Sequence, residues 1–508
     1  MDILVLTGND LTIEDCSNYL THHQSVKIAD TAVQKMQNAR TVVEKAIKTG
    51  KTIYGVNTGF GKLADVRIEN ENLAQLQINL VRSHAAGVGE PLDTDLVRLM
   101  MLLKANALAK GYSGNRPVVA QRLVDMLNND IRPVIPSKGS VGASGDLAPL
   151  AHLALCLIGE GEVAYRGRVQ PSMYAFIHNN LKPVELQAKE GLAVLNGTQV
   201  SLAAGILAIL RLENIERAAD IIGALSVEAL KGTDVPFRPE IHQARGLSGQ
   251  SCSASNLYRL LQNSEIHESH RDCGKVQDMY SLRCMPQVHG ASRDVVRNAK
   301  DIFTKEANAS TDNPVVLAET NEIISGGNFH AEPVGMQLDS LAIAVAEFGS
   351  ISERRIAAMM DPQMSQMPAF LTKHSGLESG FMLPQVTAAA LVSENKVLAH
   401  PSTVDSIPTS ANQEDHVSMA PYAGRKLLDI IENVEIVLGI ELLCAAQGID
   451  LKEGLQPAEH LQPAYALIRE HVPEYTEDRV HSKDIEAATH LIRSGELVNT
   501  VNKSLELE

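Results

Sequence analysis

The sequence predicts a mainly α protein: a central bundle of long helices with a small irregular, β-containing N-terminal part. Three stretches lead there. SLAAGILAILRLENIERAADIIGALSVEALKG (201–232) is apolar almost all round in its first half, which suits a helix at the centre of a bundle rather than on its surface. DSLAIAVAEFGSISERRIAAMM (339–360) behaves the same way. GRKLLDIIENVEIVLGIELLCAAQG (424–448) sets Leu427, Leu428, Ile431, Val434, Leu438 and Glu441 at spacings of three and four. Asp429, Glu432 and Glu435 fall mainly on the other side, so this is an amphipathic helix.

Along the chain, strand-like alternation is confined to fragments such as KTIYGV and GEVAYRG. YGVNTGFGK (54–62) reads as an irregular loop. In GSVGASGDLAPLAHLA (139–154), Asp146 is placed to cap a helix through LAPLAHLALCLIG, with Pro149 tolerated in the first turn. His152 within that helix is most simply a hydrogen-bonded core histidine. Further irregular stretches are 262–275, 363–380 and 402–415. No repeat, low-complexity run or long linker divides the chain. It is expected to form one unit over 1–508, with an N-terminal region (1–115) and a bundle-forming remainder (116–508).

Composition narrows the function. The 508 residues are 21% charged and 44% hydrophobic, with a net charge of −16, so a nucleic-acid role has no electrostatic footprint. MDILVLTGND has no basic stretch ahead of an apolar run, so no secretory leader is expected. The apolar run near residue 150 is too short to span a bilayer. Six scattered cysteines without Cys-x-x-Cys spacing fit a reduced, cytoplasmic compartment.

The chemistry centres on Ser144. A nucleophile elbow needs Gly-x-Ser-x-Gly, but Asp146 stands where the second glycine would be. A P-loop would end in Gly-Lys-Ser/Thr and this stretch does not. A Ser144–His84–Asp146 triad would rest on geometry that no sequence supplies. The small neighbours allow another reading. In a tight turn the Gly145 amide nitrogen could reach the Ala143 carbonyl carbon, because glycine tolerates the compressed backbone. Cyclisation and two water losses would leave an electrophilic methylidene. Elsewhere, HESH (267–270) is one residue short of the zincin spacing, so His267, Glu268 and His270 read as a solvated loop and no metal is expected.

GSVGASGDLAPLAHLAL resembles the signature of the aromatic amino acid ammonia-lyases, which carry a methylidene-imidazolone (MIO) group. The resemblance runs through YGVNTGFG, RSHAAGVGEP, GLAVLNGTQ, VQDMYSLRCMPQVHG, STDNP, GGNFH, ISERRIA and SANQEDHVSM, in family order over nearly the whole chain. It implies the fumarase/aspartase-like helical superfamily and an MIO made from Ala143, Ser144 and Gly145, with no external cofactor. It further implies a homotetramer whose active sites are shared between subunits. Ser83–His84 stands where members acting on tyrosine tend to carry His-Leu and those acting on phenylalanine Phe-Leu. An imidazole ring needs such polar partners. The expected reaction is therefore non-oxidative deamination of L-histidine to trans-urocanate and ammonia, with tyrosine deamination or an aminomutase reaction as alternatives.

By the same resemblance, Tyr54 in the lid loop is the base for the β-proton, with Glu414 the alternative, and Glu414 also meets the imidazole. A tyrosinate serves only where positive potential lowers its pKa, and helix N-termini around the site would supply that. Gln277, Tyr280 and Arg283 follow at spacings of three along one helix face. Arg283 pairs with the substrate carboxylate. Asn196 supports the prosthetic group and substrate, Phe329 packs near the MIO, and Asn313 is a further motif residue.

Overall fold

The structure, a computed structural model, describes residues 3–50, 52–452 and 454–508. The residues group into two compact units. The first comprises Met1–Leu207, Lys300–Asp339 and Pro401–Arg425; the second comprises Ala208–Ala299, Ser340–His400 and Lys426–Glu508.

Every strand among the described residues belongs to the first unit. Ile3–Leu6 pairs in parallel with Ser25–Ile28, and Val88–Pro91 antiparallel with Pro136–Lys138. Glu162–Tyr165 sits between Arg132–Pro133 and Arg168–Pro171, and Val315–Leu317 pairs with Glu322–Ile324. Thus GEVAYRG supplies the first strand of a hairpin, Glu162–Tyr165, and its turn. In KTIYGV, Lys51 lies outside the described residues and the remainder is coil and turn rather than strand. The unit's helical core is carried by Thr94–Ala109, whose last eleven residues are buried, by Leu147–Leu157 and by the short Glu190–Leu195 helix. Half-buried His152 accepts the Gly87 N–H at Nε2 (3.1 Å), so it is neutral with its proton on Nδ1.

The long helices form where the apolar runs place them, at Gln199–Ala229, Glu332–Met360 and Ala420–Asp450. Glu332–Met360 is the one described helix long and apolar enough to cross a membrane, and 61% of that window is buried inside the protein. In Ala420–Asp450 the amphipathic pattern lasts only for the first turns, and from Val437 to Ile449 every residue is buried. Glu435, expected on the polar side, is instead buried, with Arg211 and Arg493 on its carboxylate. Ion pairs replace water there.

Buried acids recur in the second unit. Glu441 is fully buried, held by Arg355 through two bonds (2.5 and 2.8 Å) and by the Ser226 hydroxyl (2.6 Å). Glu228, 2% exposed, has among the described residues only the Ser264 hydroxyl (2.8 Å) and the Ala458 N–H (3.3 Å), and burial pushes its pKa up to about 7. A raised folded-state value means stability that is present below the ordinary value of 4.5 and lost as pH rises through about 7. Glu228→Gln keeps a hydrogen-bonding partner for both neighbours and removes the buried charge. The variant is expected to melt above the parent at about pH 8 and with it below about pH 5; parallel melting curves across that range would contradict this.

Candidate active site

The 139–146 turn is assembled from both sides. Met419 N–H donates to the Val141 carbonyl (2.9 Å), and the Ser140 hydroxyl reaches the Gly145 carbonyl (3.2 Å). Gly145 adopts φ +74 and lies against Gly197, where a Cβ would stand 2.1 Å from the Gly197 carbonyl oxygen. Only glycine fits that contact. Ala143 pairs with Gly145 across the turn, and Gly145 with Gly197, so the backbone on either side of Ser144 is drawn together.

Asp146 corrects the sequence reading. It precedes the Leu147–Leu157 helix, but its side chain makes no capping bond there. The carboxylate instead takes the Val200 and Ser201 N–H groups (2.8 and 2.9 Å) and the Ser201 hydroxyl (2.7 Å), capping the Gln199–Ala229 helix. A buried carboxylate is best placed at the positive end of a long helix, where unpaired N–H groups converge. Burial still raises its pKa to about 6.

Ser144 opens on a cavity of about 610 Å³ lined also by Tyr54, Ser83, His84, Asn196 and Glu414. Its other walls include Phe60, Leu76, Leu80, Leu147, Leu192 and Leu195. The sequence reading had picked out none of these as cavity walls. His84 ends the Leu73–His84 helix; its Nδ1 lies 2.9 Å from the Leu80 carbonyl and 3.1 Å from the Ser83 hydroxyl. That network assigns the ring proton to Nδ1 and leaves Nε2 an acceptor. Burial lowers the His84 pKa and keeps the ring neutral. Glu414 is aimed by a tight loop. Thr409 and Glu414 exchange backbone hydrogen bonds, the Thr409 hydroxyl holds Glu414 Oε2 (2.7 Å), and Glu414 Oε1 lies 3.5 Å from Ser144 Oγ. Between them Ser410, Ala411 and Asn412 all take positive φ (51, 53 and 64), three strained residues in a row beside the cavity.

Tyr54 sits in the expected loop, folded down by the Gly59 N–H on the Val66 carbonyl (2.9 Å). Its pKa runs opposite to expectation. Burial raises it most; the Gly61 N–H acts to lower it, and the Glu414 and Asp312 carboxylates add smaller upward pushes. Asn196 gives its side-chain N–H groups to Asp312 (3.1 Å) and to the Asn313 carbonyl (2.9 Å), leaving Oδ1 for a ligand. Asn313 is buried and structural, its Oδ1 receiving the Gly326 N–H (2.7 Å). Half-buried Phe329 lies in the turn before Glu332–Met360 and is not among the lining residues.

Gln277, Tyr280 and Arg283 belong to the second unit and do not line the cavity either. They do not share a helix face, because the helix is only Tyr280–Arg283 and Gln277 precedes it in coil. The Arg283 guanidinium lies over the Tyr280 ring (4.5 Å) and donates to the Asp278 carbonyl (3.1 Å), and Tyr280 is 71% exposed.

In HESH, both His270 nitrogens face carbonyls, of Ile266 (2.7 Å) and Gly232 (3.2 Å). His330, Glu332 and His416, which the sequence reading passed over, bring their ligand atoms within 4.8 Å of one another. Both His330 nitrogens are engaged there, by the Glu332 N–H (3.3 Å) and the His416 carbonyl (3.2 Å).

Comparison with known proteins agrees with this geometry. The aromatic amino acid lyase family profile matches residues 11–470. The chain belongs to that family. A histidine ammonia-lyase of Salmonella arizonae is 51% identical over 503 residues, covering 99% of each chain. Among solved structures, histidine ammonia-lyase from Trypanosoma cruzi matches with a TM-score of 0.92 at 43% identity, covering 99% of this chain and 96% of that one. Tyrosine aminomutase from Streptomyces globisporus gives 0.95 at 33% identity over the whole of both chains. The lyase family fold is thus present throughout.

Proposed function

We propose that the chain eliminates ammonia from L-histidine, giving trans-urocanate, at the Ser144 cavity. The observation that carries this reading is the placement of a neutral His84 acceptor and the Glu414 carboxylate in the same cavity as Ser144. An imidazole substrate finds two polar partners there, where a phenyl ring would strand them unpaired.

The residues present suit an MIO group. Ala143 and Gly145 are drawn together, and Gly145 is held in a conformation that a side chain would forbid. When formed, that group supplies an electrophile for the substrate amine. The chain's own residues do the rest. His84 and Glu414 hold the ring, Arg283 pairs with the carboxylate, and Tyr54 receives the β-proton. Orientation of this kind supplies much of a barrier reduction. With its pKa raised in the single chain, Tyr54 needs added positive charge to act as a base. A homotetramer in which other subunits bring Gln277, Tyr280 and Arg283 to each cavity would provide it, and the exposure of Tyr280 supports that arrangement. We place the enzyme in the cytoplasm, which suits its six free cysteines.

The test is a substrate panel. Purified protein with L-histidine is expected to release ammonia together with urocanate absorbance, and with L-tyrosine or L-phenylalanine to release little. His84→Leu is expected to lower kcat/KM for histidine by about 10²-fold or more, as when a buried polar partner is lost. Equal turnover of tyrosine, or β-amino acid as the main product, would overturn the reading.

A further inference from the structure

Two lysines are buried behind the Ser144 turn. Lys189, fully buried, pairs with Asp312 (2.6 Å). Lys104, 2% exposed in the middle of the Thr94–Ala109 helix, makes no ion pair among the described residues. Its ammonium donates to the main-chain carbonyl of Asn196 and lies 3.5 Å from Gln199 Oε1, whose amide is held by Thr311 (2.7 Å). A buried ammonium without its own carboxylate is costly to keep. The reaction at the cavity gives it no task.

The peptide it grips points to one. The N–H of that same peptide unit, on Gly197, is directed at the Ser144 carbonyl oxygen (3.5 Å), and the Gly197 carbonyl takes the Asp146 N–H (2.7 Å). Lys104, the Asn196–Gly197 peptide and the Ser144 carbonyl therefore stand in line.

We propose that Lys104 is a positioning residue for building the prosthetic group: its ammonium polarises the Asn196–Gly197 peptide, whose N–H stabilises charge on the Ser144 carbonyl oxygen as Ser144 is dehydrated. The inference rests on the reading that an MIO forms here. Ring closure joins the Gly145 nitrogen to the Ala143 carbonyl carbon, and the Ala143 oxygen leaves as water with the amide hydrogens of Gly145 and Ser144. In the second loss the Ser144 Cα–H and Cβ–O bonds break and the Cα=Cβ bond forms. The proton and hydroxide depart together as water. Removing the Cα proton places negative charge on the Ser144 carbonyl oxygen, and a donor already aimed there lowers that barrier. A cation on the far side of the donor's own peptide strengthens it through the shared π system, more so in a dry interior.

Burial lowers the Lys104 pKa to about 7, with Asp312 and Asp146 acting to raise it and Lys189 to lower it. The ammonium is the active form, so water loss should slow as pH rises through that value.

The experiment follows maturation rather than turnover. The peptide spanning Ser144 is weighed over time in freshly made parent and Lys104→Met protein, with circular dichroism to confirm the fold. The folded variant is expected to lose its two waters at least about ten-fold more slowly. The parent's rate is expected to fall between about pH 6 and pH 9, while the variant's stays flat. Maturation of folded Lys104→Met at the parental rate, or with the parental pH profile, overturns the proposal. If the variant does not fold, the parent decides alone, because a profile flat across that range overturns it. A parent that never loses two waters would instead sink the MIO reading itself, and this inference with it.

Discussion

Gly145→Ala is expected to leave a protein that keeps Ser144 as an ordinary serine and deaminates histidine at least about a thousand-fold more slowly, the scale on which losing a covalent catalytic group is felt. The reason is backbone contact. A Cβ at residue 145 would stand 2.1 Å from the Gly197 oxygen and 2.5 Å from its carbonyl carbon, and Gly145 is at φ +74. No flexible side chain can yield there, so the turn itself must move away from residue 197. Moving it parts Gly145 from Ala143 and takes the Ser144 carbonyl away from the Gly197 N–H. The damage is local, since the Leu147–Leu157 helix keeps its own hydrogen bonds. Intact mass of the peptide spanning residue 144, with kcat/KM on L-histidine, measures both halves. Full loss of two waters in the variant would show that the contact does not govern ring closure.

The second large effect is on stability. Arg355→Met is expected to destabilise the fold by about 3–5 kcal/mol, the range for stripping one partner from a buried ion pair. Both side chains are fully buried, and Glu441 would be left with the Ser226 hydroxyl alone. The double variant Arg355→Met, Glu441→Leu should recover most of that loss, because two apolar groups of similar size leave no charge behind. Urea unfolding of the three proteins distinguishes the outcomes. A double variant as weak as the single one would mean that packing rather than charge holds the site.

Glu441 also shows what a one-dimensional reading can see. Its place among Leu427, Leu428, Ile431, Val434 and Leu438 is visible in the spacing, but its partner lies in ISERRIA, 86 residues earlier, and spacing cannot reach that far. The long helices were legible because an apolar run of that length has few ways to fold. Ser83–His84, Ser144 and Glu414 were legible from motifs, and the structure lines one cavity with them. Asp146 was half legible: its residue type announces a cap, but which helix it caps depends on how two distant segments meet. Gln277 misled because a three-residue spacing implies a helix face only where a helix exists. Lys104 left a signal that went unread, a single charge inside MLLKANALA. A charge in such a run is either a boundary or a buried group with work to do.

The hydrogen bond from His84 Nδ1 to the Leu80 carbonyl has a consequence for what the enzyme can discriminate. By fixing one tautomer, the helix end presents a lone pair to whatever enters, and on the proposed function it greets the substrate ring as a hydrogen donor. Histidine supplies that hydrogen from either nitrogen by shifting its own tautomer. A ring alkylated on the nitrogen that meets His84 cannot. The cavity is thereby sensitive to a single methyl group at one edge of the imidazole, a selectivity arising from a main-chain carbonyl one helical turn away rather than from pocket size.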